Sequence, residues 1–136
     1  MQIETILKQQ IGASLALHQE ILFAHLYGSF SNQVLPLNDV GVAVCLSPTW
    51  RAVNVSEYER ALSVELTLKL QVPVDVRVLN QTSLSFQRNV LYRGELVFIQ
   101  DQIGDEYLSA LVERVGLEHN EYPQYIQAHL RDMTSQ

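Results

Sequence analysis

The sequence has 136 residues, 47% of them hydrophobic, which suits one globular domain, residues 1–136, with an ordinary buried core. Its formal net charge of −6 argues against a protein that binds the phosphates of nucleic acid, because such proteins carry clustered Lys and Arg. The charge favours a basic protein partner instead. No apolar run is long enough to cross a bilayer, the N-terminal residues lack a signal-peptide pattern, and one cysteine, Cys45, cannot form an internal disulfide, so we expect no membrane association and a cytoplasmic location.

The chain begins with patterns that predict a helix followed by two strands. Apolar residues recur at helical spacing between Ile3 and Leu15. A short apolar run then ends at Gly28, as a buried strand does. Residues 41–47 form a β-branched run that is closed by Ser and Pro, which predicts the second strand.

A second helix and a third strand follow. Residues 56–70 predict a helix, and Ser56 and Glu59 have the spacing of a capping box at its start. Residues 73–79 alternate valines with Asp75 and an arginine, which is the period of a strand. We therefore expect Asp75 to point away from the face that packs the valines.

The rest of the chain continues the alternation. Residues 83–94 predict a helix that is stopped by Gly94, and residues 95–100 predict a short strand. Two further helices are expected before Met133, forming a helical C-terminal tail over about residues 105–133. The sequence thus predicts an α/β (α+β) fold, in which helices and strands alternate around one sheet and a helical tail follows.

One stretch carries a possible site, YGSFSNQVLPLNDVGVAV, which starts at residue 27. A strand that ends in Gly28 and Ser29 and turns into a helix presents unpaired backbone N–H groups that can hold a phosphate. The simpler alternative is that Gly28 makes a tight turn and Ser29 caps the next helix. After a polar loop, Asp39 enters one strand, and Asp75 lies in another. Carboxylates on two strands beside a phosphate-binding turn are typical of Mg²⁺ sites on nucleoside triphosphates.

Four segments in order, LYGSF, NDVGVAV, VDVRVLN and VLYRGELVF, resemble the minimal nucleotidyltransferases of the DNA polymerase β superfamily. The similarity covers a core of about residues 22–98. It implies a mixed sheet flanked by helices, with Asp39 and Asp75 as the first and third metal-binding aspartates. It also implies that Gly28 and Ser29 hold the triphosphate, and that an active member uses Mg²⁺ and ATP.

The sequence departs from the family pattern at the site itself. Gly41 stands where the resemblance places the second aspartate, and Asn38 replaces the serine before the first. Removing the carboxylate shared by two Mg²⁺ ions withdraws a charge and the bridge that fixes their spacing. Asp39 is the only acidic residue between Phe30 and Trp50. We therefore expect catalysis to be impaired or absent, which would leave Asp39 and Asp75 vestigial and the protein without a cofactor.

The resemblance also implies a partner. Members of this family are often paired with small helical ribonucleases of the HEPN group, which they neutralise in toxin–antitoxin systems by transferring AMP to the toxin or by binding it. The acidic balance suits a basic RNA-cleaving partner in a hetero-oligomer. An active Mg²⁺-dependent enzyme that transfers AMP from ATP to a protein, and a regulatory nucleotide-binding module, remain the alternatives.

Candidate partner contacts lie in the tail. Tyr107, Tyr122 and Tyr125 stand among acidic residues, and tyrosine is favoured at interfaces because it buries area while keeping a polar end. The alternative is that these rings cover the domain's own core. Asp75 also has a structural alternative, since a strand aspartate can pair with Arg77 or with a helix N-terminus.

Overall fold

A computed structural model describes residues 2–27, 40–50 and 54–116. Its elements are α1 (Gln2–Leu15), β1 (Ile21–Tyr27), β2 (Val40–Leu46), α2 (Val55–Leu70), β3 (Val74–Val78), a 3₁₀ helix (Leu79–Gln81), α3 (Leu84–Arg93), β4 (Glu95–Ile99) and α4 (Asp101–Arg114). The predicted types and order are confirmed across this part of the chain. The second predicted tail helix lies outside the described residues, and α4 begins a few residues before the predicted start of the tail.

The four strands form one mixed sheet in the order β3-β2-β1-β4. β1 pairs antiparallel with both β2 and β4, whereas β2 and β3 are parallel. A parallel pair needs a crossover connection, and α2 supplies it. The structure therefore confirms the predicted sheet flanked by helices.

Each face of the sheet is covered by its own pair of helices. Alternate residues of β2 and β3, among them Val42 and Val76, pack with leucines of α1 and α2. The opposite face, which includes Ala43, packs with Leu91 of α3 and Leu108 of α4. Successive strand residues point to opposite faces, so Gly41 and Asp75 belong to the α3/α4 face.

The predicted capping box of α2 is wrong. The N-cap is Asn54, whose Oδ1 accepts a hydrogen bond from the backbone N–H of Glu57 at 3.1 Å. Glu59 reaches away from the helix start, and its Oε2 accepts a 2.8 Å bond from the backbone N–H of Val78. The carboxylate of Glu59 therefore accepts from Val78, which is distant in sequence, and not from the backbone N–H of Ser56 as the capping box predicted.

α3 ends as predicted at Gly94, whose backbone N–H donates to the carbonyl of Val90. A Cβ at this position would lie 2.6 Å from the carbonyl oxygen of Leu26. The glycine is thus required by the close approach of the α3 end to β1. None of the described helices is long and apolar enough to cross a membrane.

Candidate functional site

Asp75, Gly41 and Tyr27 lie side by side in one row across three strands. Gly41 is the register partner of Asp75 in the parallel pair and of Tyr27 in the antiparallel pair. The side chain of Asp75 is exposed, while its neighbours Val74 and Val76 are buried on the other face. The predicted orientation of Asp75 is therefore confirmed, and position 41 lies directly beside it.

Tyr27 fills the space above Gly41. A Cβ built on Gly41 would lie 2.9 Å from Cζ of the Tyr27 ring, 3.0 Å from its Cε1 and 2.9 Å from its carbonyl oxygen. These distances are well below the roughly 3.5 Å of an unstrained carbon contact. Glycine is the residue that fits here while Tyr27 keeps its position.

Tyr27 is held against α3. Its ring makes an edge contact with Phe86, with centroids 5.5 Å apart and planes at 85°, a geometry that aromatic pairs prefer. The guanidinium of Arg77 lies 5.7 Å from the centroid of the same Phe86 ring, within cation–π range. Burial raises the pKa of Tyr27, and the charge of Asp75 raises it further while Arg77 opposes the shift, so the phenol is neutral at physiological pH.

The next row along the same face joins Arg77, Ala43 and His25. His25 is fully buried, and its ring packs edge-on to Phe23 with centroids 5.6 Å apart. Burial lowers the pKa of His25 from 6.5 to about 3, because a low-dielectric surrounding disfavours the imidazolium. The sequence pattern did not single out His25; its place among six apolar or aromatic residues of β1 was the available signal.

The sequence model of the family described as polymerase beta, nucleotidyltransferase, matches residues 9–103, which contain all four strands of the sheet. This chain belongs to the polymerase β nucleotidyltransferase family. The predicted resemblance is thereby confirmed. No curated protein sequence matches the chain.

Several solved structures of similar fold are described as toxin–antitoxin proteins. A mutant of the toxin–antitoxin MntA-HpeT has a TM-score of 0.62 at 18% identity, covering 94% of this chain and 95% of that chain. The tri-AMPylated HEPN toxin in complex with MNT antitoxin from Shewanella oneidensis has a TM-score of 0.60 at 17% identity, covering 97% and 96%. A toxin–antitoxin with AMP-PNP has a TM-score of 0.55 at 18% identity, covering 97% and 94%. At these identities the likeness shows a shared nucleotidyltransferase fold.

Nucleotidyltransferases typically use Mg²⁺ and a nucleotide, and of the two aspartates that the resemblance assigns to the metal site the described residues include Asp75 alone. Asp75 is the one carboxylate of the row, since position 41 has no side chain and Tyr27 occupies the space above it. Within residues 2–27, 40–50 and 54–116, no three His, Cys, Asp or Glu side chains come together as ligands. A phenol that stays neutral is a poor replacement for a carboxylate at a hard cation.

Several predicted site residues lie outside the described residues, namely Gly28, Ser29, Asp39, Tyr122 and Tyr125. Their roles in phosphate binding, metal binding and partner contact remain predictions. Val40, the residue after Asp39, is anchored at the start of β2 by a 2.9 Å bond from its N–H to the carbonyl of Pro73. This anchor sets the register in which Gly41 meets Asp75.

Tyr107 lies on α4 and is 36% exposed. It lines a recess of about 300 Å³ together with Cys45, Leu79 and Arg114. Cys45 lies four residues along β2 from Gly41, so this recess is at the opposite end of the strand from the Asp75 row. Burial raises the pKa of Cys45 to about 12, which leaves the thiol protonated and unreactive.

Proposed function

We propose that this chain is an antitoxin of the minimal-nucleotidyltransferase type, which neutralises a small helical HEPN ribonuclease by binding it, with catalysis impaired or absent. The observation that carries the proposal is the row in which Gly41 lies between Asp75 and Tyr27. In that row, position 41 lacks the carboxylate that the family pattern places there. Solved structures of similar fold belong to toxin–antitoxin systems. The likeness extends over nearly the whole length of both chains, which supports a shared mode of assembly.

The catalytic side of the proposal follows from charge. In-line phosphoryl or nucleotidyl transfer depends on metal ions that neutralise the triphosphate and orient it. Asp39 and Asp75 would be the ligands of Mg²⁺, and position 41 would supply no third carboxylate. Gly28 and Ser29 would not compensate, because backbone N–H groups bind phosphate rather than cations. The proposed antitoxin therefore acts without Mg²⁺ or ATP.

The binding side follows from the surface. The chain carries a formal net charge of −6, and α4 exposes the acidic residues Glu106, which adjoins Tyr107 in the sequence, and Glu113 near the end of the helix. A ribonuclease needs a basic surface for RNA, and an acidic partner speeds the encounter and covers that surface. Tyr107, with Tyr122 and Tyr125 further along, is the proposed contact set within a cytoplasmic hetero-oligomer.

The proposal requires that a reading frame adjacent to this one encodes a small helical protein of the HEPN type, and co-expression with that protein is the test. A stable complex is expected on size exclusion, and it should survive Asp39→Ala and Asp75→Ala because binding and chemistry are separate. Tyr107→Ala should weaken it, whereas Tyr92→Ala, which removes an exposed ring from α3, should not. Release of the toxin by either aspartate variant, with the fold intact by circular dichroism, would show that neutralisation depends on the site.

An active transferase is the second candidate, because a solved structure of similar fold contains a tri-AMPylated toxin and another contains AMP-PNP. The test is the mass of the partner after incubation with this chain, ATP and Mg²⁺. We expect the mass of the partner to show no added AMP. We also expect calorimetry to detect no Mg²⁺-dependent binding of ATP, which is binding that a chelator would abolish. Added AMP that disappears in Asp75→Asn would establish the enzyme and overturn the proposal of inactivity.

A further inference from the structure

We propose that α4 carries a docking seam for one amphipathic helix of the partner, a helix whose apolar row is flanked by basic side chains. The docking seam is the exposed row Ile103, Tyr107, Ala110 and Arg114 of α4. The inference deepens the proposed function and rests on it, because it takes the partner to be a helical protein. It adds which part of the partner binds, what charge that part carries, and which side chains of α4 receive it.

The docking seam has the spacing at which two helices pack together. Its residues are separated by four, three and four positions, so they line one side of the helix. Apolar residues repeated in this way form the contact row of helices that pack lengthwise. Ile103 and Tyr107 are 44% and 36% exposed, so a large part of each side chain is left for a second helix.

A separate row of α4 serves the domain itself. Gly104, Leu108 and Val112 are buried, and Leu108 and Val112 belong to the core on the α3/α4 face of the sheet. The sheet therefore covers this row, while the docking seam lies beside it. A helix with a second, exposed apolar row is typical of an interaction site.

A recess next to the docking seam can receive an anchoring side chain. It has a volume of about 300 Å³, and its lining includes Leu79, Ala110 and Leu111. Asn80 also lines it, but its side-chain amide is already hydrogen-bonded to the backbone N–H and carbonyl of Leu46. An apolar side chain of a helix that lies on the docking seam can therefore enter the recess without competing for that amide.

The charge of α4 specifies a basic partner helix. Its 14 residues contain four acidic residues, Asp101, Asp105, Glu106 and Glu113, and one basic residue, Arg114, so its net charge is −3. That is half of the formal net charge of −6 of the whole chain. Glu106 and Glu113 are exposed and lie seven positions apart on the flank of the docking seam, where charged residues of packed helices set partner choice. Lys or Arg at the facing positions of the partner helix would complement them.

The first test compares Ile103→Glu with Val64→Glu in the complex of the full-length chain with its partner. Val64 is the matched control, an aliphatic residue of α2 that is 52% exposed. Ile103→Glu buries an unpaired charge at the contact, so we expect its dissociation constant to rise roughly tenfold or more, measured by calorimetry. Val64→Glu should bind as wild type does. Equal affinities of the two variants, both folded by circular dichroism, would overturn the proposal.

The second test uses two synthetic helical peptides and needs no partner. Both peptides have leucine along one row, and the flanking positions are lysine in one and glutamate in the other. Each is titrated into the isotope-labelled full-length chain, and NMR reports which backbone signals move. We expect the lysine peptide to move the signals of Ile103, Tyr107 and Ala110, and the glutamate peptide to move none. Ile103→Glu should abolish the response, whereas Val64→Glu should keep it.

The peptide titration also identifies the results that would overturn the proposal. These are no movement with the lysine peptide, an equal response to both peptides, or movement confined to other elements. Nuclear Overhauser contacts between the Tyr107 ring and residues 117–136 would show that the chain covers its own docking seam, which would overturn it as well. Because this titration does not involve the partner, its failure is distinct from failure of the co-expression test.

Discussion

The face of the sheet beneath α1 and α2 is packed by aliphatic side chains from β1, β2 and β3, with Leu66 of α2 among the fully buried residues. The opposite face, beneath α3 and α4, includes the backbone of Gly41, the imidazole of His25 and the phenol of Tyr27. Stability can therefore come from large apolar contacts on the first face. The second face depends more on close backbone approaches and on groups whose burial has an electrostatic cost.

This difference indicates how a nucleotidyltransferase fold can change its site and keep its structure. The α1/α2 face carries most of the aliphatic core, so substitutions on the other face leave that core in place. Asp75 and Arg77 project from β3 between valines that serve the first face. The alternation of a strand lets one segment support both the core and the site.

The largest expected effect comes from weakening the aliphatic face. Leu66→Ala removes a fully buried side chain, and such substitutions cost about 2–5 kcal/mol because a cavity remains. Urea denaturation measures the loss. Leu68→Ala on the same helix is the matched control, since Leu68 is 67% exposed, and it should change the free energy of unfolding by less than about 0.5 kcal/mol. Equal losses would contradict the assigned helix face.

Gly104→Ala tests the close approach of α4 to the other face. A Cβ at Gly104 would lie 2.5 Å from the carbonyl oxygen of Leu22 and 2.8 Å from Cγ1 of Ile99. Helix propensity favours alanine by about 1 kcal/mol, but overpacking of about 1–3 kcal/mol should outweigh it. We expect a lower Tm, with the exposed substitution Glu106→Ala as the control on the same helix. A higher Tm would mean that α4 can move away from β1 without cost.

His25, on the α3/α4 face, should make the free energy of unfolding depend on pH. Its pKa falls from 6.5 to about 3 on folding, so the unfolded chain binds more protons between these values. The contribution of neutral His25 is complete above pH 6.5 and declines as the pH falls towards the folded pKa, by up to about 1.4 kcal/mol per pH unit.

The measurement is the free energy of unfolding as a function of pH for wild type and His25→Leu. The variant should lose this slope between pH 6.5 and about 3, while the slope from the carboxylates remains in both proteins. His18→Gln is the control, because His18 lies outside the sheet and is paired with Glu65 at 2.9 Å. Identical pH profiles for wild type and His25→Leu would contradict a neutral buried imidazole.

The smallest expected effect concerns the start of α2, on the first face. Asn54→Ala removes the side chain that accepts the Glu57 N–H and should cost about 1 kcal/mol. Ser56→Ala is the paired variant, and it should be nearly neutral because Ser56 is not the N-cap. Thermal melts of both variants decide between the two caps. A larger loss of Tm in Ser56→Ala than in Asn54→Ala would support the capping box of Ser56 and Glu59 instead.

Regular local patterns account for what was predicted correctly. The alternation in β3 placed Asp75 opposite the valines, and apolar runs located β1 and β2 close to their actual ends. The capping box failed because Glu59 has a better partner in the Val78 N–H, nineteen positions further along the chain. A local motif cannot anticipate a bond that forms only when α2 packs on β3.

The sequence by itself determined the helices and strands, the family, and the glycine at position 41, because periodicity, motif order and residue identity are local properties of the chain. Only the tertiary structure decided that Tyr27 covers Gly41, that Phe86 holds Tyr27 there, and that His25 is buried and neutral. These facts depend on β1 pairing with β2 and on α3 packing across them. Their physical cause is contact between segments that are distant in sequence, whose register is set when the sheet and its helices assemble together.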